Sequence, residues 1–120
     1  MTHGRHHHPL EFSQHWRLTL EPGDPPLDWP TLFGNDRPVE VEIGHGKGAF
    51  LVDAAVAHPE HNFIGIEWAS MRHVYTSERV AKRGLENVRL IRGDAASIFR
   101  EQIPASSIAI VFSKRPPPTP

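Results

Sequence analysis

Apolar positions gather into four short runs: Val39-Glu-Val-Glu-Ile43, Asn62-Phe-Ile-Gly-Ile66, Val88-Arg-Leu-Ile91 and Ile108-Ala-Ile-Val-Phe112. Runs of four to six residues bounded by turn signals are the pattern of buried strands. The stretches between them read as helices. Residues 48–57 are rich in Ala and Val and stop before His58-Pro59, because the residue before a proline disfavours the α conformation. Residues 70–83 carry Ser70 as an expected N-cap and Gly84 as the expected left-handed stop. A third, shorter helix is expected over 95–102. Strands separated by single helices imply right-handed crossovers and a parallel sheet. The expectation is an α/β fold with about four strands in the order 3-2-1-4, its switch point beside the turn after the first strand.

The first strand runs straight into Gly44-His-Gly-Lys-Gly48. Three alternating glycines let the backbone turn tightly and approach a ligand without a Cβ in the way. On spacing alone the turn is ambiguous, since Gly44, Gly46 and Ala49 also satisfy the dinucleotide pattern G-x-G-x-x-G/A. Charge favours one side. Glu42, two residues before the first glycine, would repel a pyrophosphate. It would attract the ammonium and sulfonium of S-adenosylmethionine (SAM).

The second strand ends at Glu67, 19 residues after Gly48, near the spacing at which nucleotide-binding α/β folds place a ribose-binding acid. The third ends in Arg92-Gly93-Asp94, where a carboxylate can receive an adenine amino group. Ligands in open α/β sheets bind outside the carboxyl ends of the strands, so Glu42, Glu67 and Asp94 are expected to converge on one crevice.

Composition sets the outer limits. The chain has 120 residues, 38% of them hydrophobic, no cysteine and a formal net charge of −1. One domain is expected, with 1–38 as an irregular arm, 39–112 as the α/β domain and 113–120 as a proline-rich tail. Without cysteine there are no disulfides or thiolate metal sites. No apolar run is long enough to span a membrane, and the polar, His-rich start lacks a secretory core, so a cytoplasmic protein is expected. His3, His6, His7 and His8 lack the helical spacing or second ligand cluster of a metal site, and none is expected. Trp16 and Trp29 are expected to pack the arm onto the domain. The near-neutral total hides a local excess: seven bases, from Arg72 to Arg100, stand against Glu78, Glu86 and Asp94. Such a run reads first as a solvated helix face and second as a source of phosphate contacts.

Three phrases carry a resemblance: Glu42-Ile-Gly-His-Gly-Lys-Gly-Ala-Phe-Leu51, His58-Pro-Glu-His-Asn-Phe-Ile-Gly-Ile-Glu67 and Gly84-Leu-Glu-Asn-Val-Arg-Leu-Ile-Arg-Gly-Asp-Ala95. Over 39–112 the chain resembles the bacterial tRNA (guanine-N7-)-methyltransferases. The resemblance implies a Rossmann-like class I methyltransferase fold, SAM as cofactor and tRNA as partner. It implies that Glu42, Glu67 and Asp94 contact SAM and that Gly44, Gly46 and Gly48 hold its methionine part.

The resemblance breaks off after Phe112. There the family continues Pro-Asp-Pro-Trp and then a basic stretch, and its aspartate is the proposed catalytic group. This chain has Ser113-Lys-Arg-Pro-Pro-Pro-Thr-Pro120, with Lys114 at the aspartate position. A cation has the wrong sign to stabilise the positive charge that builds on guanine as N7 attacks a methyl group. No catalytic residue is therefore assigned, and the chain is expected to be truncated and inactive alone. The alternative is a non-catalytic SAM- or nucleotide-binding module that needs a partner chain. A nicotinamide-dependent oxidoreductase is a third reading, opposed by Glu42.

Overall fold

The computed structural model describes residues 9–113. The expected strands are present as β2 (Val39–Ile43), β3 (Asn62–Glu67), β4 (Val88–Arg92) and β5 (Ile110–Ser113). All pairings are parallel. Val41 aligns with Ile64 and with Val111, and Ile66 aligns with Ile91. These four lie in the order β4-β3-β2-β5, which is the 3-2-1-4 order expected.

The sheet has a fifth strand that the sequence reading missed. β1 (Arg17–Leu18) pairs in parallel with Leu90 and Ile91 of β4 and forms that edge. Two residues are too few for any period to register. The arm is therefore not wholly irregular. It carries α1 (Pro9–Phe12), a single 3₁₀ turn at Gln14–Trp16, β1 and α2 (Trp29–Phe33). Both tryptophans pack as expected. Trp29 is 7% exposed and donates from Nε1 to Ser107 Oγ at 2.9 Å, and Trp16 donates to the Leu85 carbonyl at 3.1 Å.

Side chains alternate across the sheet and build one apolar layer on each face. Val39, Val41, Ile64, Ile66 and Ile91 meet Trp29, Ile98 and Ile103 on one side. Phe63, Val88 and Leu90 meet Leu51, Val52, Ala55 and Val80 on the other. The second layer is roofed by α3 (Ala49–Ala57) and α4 (Ser70–Arg83); α5 (Ala95–Glu101) covers the first. α3 ends at His58 as expected, and α4 ends at Gly84 with φ 60°.

The start of α4 differs from expectation. Its N-cap is Ala69, which has no capping side chain; the carboxylate of Glu67 takes the Ala69 N–H instead, at 3.0 Å. β5 begins two residues later than expected and is an outer strand. Ile110 and Val111 are about half exposed on it, at 50% and 49%. Lys114, the His-rich start and the proline-rich tail lie outside the described residues.

Candidate functional site

Three strands end around one crevice. It is lined by Ile43 and Gly44 after β2, by Ile66, Glu67 and Trp68 at the end of β3, and by Gly93, Asp94 and Ala95 after β4. Of the six expected binding residues, Gly44, Glu67 and Asp94 form its wall. The other three do not line it, and each has another place.

Glu42 is fully buried on β2, level with Gly65 of β3 and Phe112 of β5, behind the crevice wall. Gly46 is held through its backbone. Its N–H donates to Glu67 Oε1 at 2.8 Å, and its carbonyl accepts from Thr76 Oγ1 at 2.7 Å. A Cβ at Gly46 would meet nothing within 4 Å, so its φ of 58°, and not crowding by protein atoms, favours glycine there. Gly48 is the opposite case. At φ 80° it also lies so close to α4 that a Cβ would collide with the Thr76 side chain. The turn is therefore stapled to α4 by one hydroxyl and one close approach.

Glu67 is the hub. One carboxylate oxygen takes the Gly46 N–H and the other the Ala69 N–H, so this side chain ties the glycine turn to the entry of α4. Burial works against its ionisation. The two N–H donors, helped by the Arg72 charge and by His45 where it is protonated, outweigh that and hold its pKa below the usual carboxylate range. Asp94 caps α5: its Oδ2 accepts from Ser97 Oγ at 2.9 Å and Ser97 N at 3.1 Å. Those bonds lower its pKa.

Sequence reasoning missed Trp68, His45, His73 and Thr76. Trp68 is 68% exposed beside the crevice and lies under the Arg92 guanidinium, 5.7 Å from ring centroid to Cζ. An aromatic directly after a strand-end acid was its visible signal. The turn histidine, His45, is 1% exposed, and burial lowers its pKa. His73, on the inner face of α4, is 5% exposed. Burial is the main cause that lowers its pKa to about 4, helped by His45, Arg17 and Arg92. Both rings are therefore neutral at pH 7. Among the described residues no cluster of His, Asp or Glu is arranged to hold a metal ion. No helix among them is long and apolar enough to cross a membrane.

A family model described as a putative methyltransferase matches residues 36–120. The tRNA (guanine-N(7)-)-methyltransferase of Hydrogenovibrio crunogenus is 44% identical over 101 residues, which are 84% of this chain and 41% of that protein. The enzymes of that name from Salmonella typhimurium and Thermotoga maritima are 37% and 39% identical over 92% and 79% of this chain, but over only 46% and 30% of their own lengths. The chain thus spans less than half the length of these relatives. Among solved structures, phosphoethanolamine N-methyltransferase 2 of Haemonchus contortus, in complex with S-adenosylhomocysteine and phosphomonomethylethanolamine, superposes with a TM-score of 0.57. It does so at 23% identity, over 64% of this chain and 17% of that one. That likeness is one of fold. The match of a single family model to well over half of the residues decides the affiliation: the chain belongs to the putative methyltransferase family.

Proposed function

We propose that this chain carries the SAM-binding half of a tRNA (guanine-N7-)-methyltransferase. The observation that carries the reading is the convergence of Gly44, Glu67 and Asp94 from the ends of three adjacent parallel strands on one crevice. The similarity to enzymes of that name supplies the reaction class. Bound there, SAM supplies an electrophilic methyl group on a sulfonium.

The chain's own residues fit that ligand. The ionised carboxylate of Glu67 stands at the end of β3, where a ribose diol needs an acceptor, and Asp94 is placed after β4 for the adenine edge. The glycine turn leaves Gly44 as bare backbone for the methionine part. Glu42 is buried behind it on β2. Trp68 offers an aromatic face at the crevice mouth. A pyrophosphate in the crevice would instead face the Glu67 carboxylate, which disfavours a dinucleotide. The transfer itself needs a carboxylate beside the guanine, and the position that would hold it in the family is Lys114. Guanine methylation is therefore assigned to the family's whole fold, with tRNA as partner and the cytoplasm as its place of work.

A second reading has its own support. β5 is an edge strand with exposed Ile110 and Val111, as expected of a SAM-binding module whose sheet is completed by another polypeptide. The test is methyl transfer from labelled SAM to unmodified tRNA, alongside direct SAM binding. Binding without transfer is the expected result for this chain. Transfer would assign catalysis to residues already present, and loss of both would remove the methyltransferase reading.

A further inference from the structure

His45, in the glycine turn, lines no wall of the crevice, yet its side chain is fully enclosed. Its ring lies over Gly65, in the interior of β3. A Cβ at Gly65 would stand 2.7 Å from His45 Cδ2, with Leu51 Cδ2 and Leu90 Cδ2 at 2.8 and 2.9 Å. Glycine inside a strand normally weakens it and often marks a close approach. Here it makes the seat for the histidine ring, which forms a wedge between the sheet and the turn that carries it.

The wedge is bonded to the turn it supports. His45 Nδ1 lies 3.1 Å from the Gly46 carbonyl oxygen. A carbonyl only accepts, so the ring proton sits on Nδ1. The same carbonyl takes the Thr76 hydroxyl at 2.7 Å, and the Gly46 N–H goes to Glu67. Both peptides that flank the Gly46 Cα are thereby fixed. In this tautomer Nε2 is a bare acceptor, and it is buried with no hydrogen-bond partner. An apolar ring would fill the seat without that cost. What histidine adds is a place for a proton. A proton on Nε2 would be a buried charge with no bonded acceptor, a far larger cost than the orphaned lone pair, and it drives the ring toward water. The surroundings set the balance. Glu67 on β3 favours the proton, and His73 on α4 opposes it where His73 is itself protonated. Glu42 leaves β2 level with Gly65, on the same face of the sheet. α3 presents the apolar Leu51, Arg79 of α4 donates to the Lys47 carbonyl, and the Lys47 ammonium lies over the Tyr75 ring. Burial is the largest influence; it outweighs the Gly46 bond and Glu67 and lowers the pKa of His45.

We propose that His45 is a positioning residue of the crevice and makes cofactor binding pH-sensitive: the neutral ring wedges the glycine turn in its binding shape, and the protonated ring leaves its seat and frees the turn. The inference rests on the reading of the crevice as a SAM site. The wall and the wedge are consecutive residues, since Gly44 lines the crevice and is itself tied to the Ile66 carbonyl at 2.7 Å. SAM and the proton therefore compete. Affinity is full above about pH 6.5 and falls as the pH drops through the lowered pKa of the ring. The carboxylate, ammonium and sulfonium of SAM keep their charges over pH 7 to 4.5, so the ligand does not add a step of its own.

The test measures SAM affinity by calorimetry from pH 7 to 4.5 in the parent and in His45→Asn, with circular dichroism confirming the fold at each pH. The Asn amide nitrogen stands where Nδ1 does and can donate to the Gly46 carbonyl, but it does not titrate. The parent should lose about threefold or more in affinity across that range. His45→Asn should bind more weakly at pH 7 by no more than about threefold, and its affinity should then stay flat into acid. An equal fall in both proteins overturns the proposal. Should His45→Asn unfold the chain, His45→Phe refills the seat and is read in the same way. Ring nitrogen resonances of the free chain give a readout that needs no SAM. They should report the Nδ1–H tautomer at pH 7, and the Gly46 and Thr76 amide signals should move with the same midpoint as the His45 ring. Separate midpoints, or a proton on Nε2 at pH 7, overturn the wedge even where SAM binds. A shared midpoint in a chain that binds no SAM at any pH keeps the wedge and removes the SAM reading instead.

Discussion

Gly46 donates its backbone N–H to Glu67 Oε1 at 2.8 Å across 21 residues of sequence, so the glycine turn and the end of β3 form one unit. The acid proposed to meet the ribose also sets the shape of the loop proposed to meet the methionine. Substitution there should act on both. Glu67→Ala removes two charge-assisted bonds, worth roughly 1.5–3 kcal/mol each before relaxation. Glu67→Gln keeps one acceptor and should lose less. Chemical denaturation of both variants checks the order. Equal stability of Glu67→Ala and the parent would show that the turn holds its shape without this carboxylate.

Gly46 and Gly48 should respond differently. Alanine at Gly46 meets open space and carries only the left-handed penalty, about 1–2 kcal/mol. Alanine at Gly48 adds a collision with Thr76. Gly48→Ala should therefore be the more destabilising, and Thr76→Ser should relieve part of it, because the serine keeps the hydroxyl that bonds the Gly46 carbonyl. Thermal melts of the single and double variants decide this. Additive effects would mean that the two side chains do not meet.

Much of this was legible in the sequence, and the misses share a cause. Alternation and glycine placement located β2 to β5 and their order, because short apolar runs bounded by turns have few other uses. β1 escaped because Arg17 and Leu18 gain their strand character only by lying beside Leu90 and Ile91. The cap of α4 was misread for a related reason: Ser70 has the right chemistry, but the carboxylate of Glu67 had already taken the Ala69 N–H. On α4 the polar residues His73, Thr76 and Ser77 face inward, while Met71 and Tyr75 face out. A polar face normally signals solvent. Here the hydroxyls find backbone carbonyls at Gly46 and His73, contacts that no local pattern announces.

Acid should weaken the fold in two steps. His73 titrates at about 4 when folded, against 6.5 for an ordinary histidine, so the unfolded chain takes up this proton first. Stability is complete above about pH 6.5 and falls as pH drops toward 4, by up to about 3 kcal/mol. Arg17 and Arg92, and His45 where it is protonated, oppose the proton, and Glu67 favours it. Glu67 and Asp94, with depressed pKa values, hold their contribution above the ordinary carboxylate range and lose it below. His73→Gln should flatten the step between pH 6.5 and 4 and keep the lower one. Urea midpoints across pH 3 to 8 measure both, and an unchanged upper step would place its origin elsewhere.

Ile110 and Val111 on the outer strand should make the chain associate, since an exposed apolar edge is a template for another strand. Val111→Lys should shift the population toward monomer in light scattering. A parent chain that is already monomeric at high concentration would contradict this.

Calorimetric titration of the chain with SAM, S-adenosylhomocysteine and NAD bears most directly on the proposed crevice. Saturable binding of the first two, weakened by Glu67→Ala, and no binding of NAD is the predicted result. NAD binding without SAM binding would contradict the assignment of Gly44, Glu67 and Asp94 to a methyl donor.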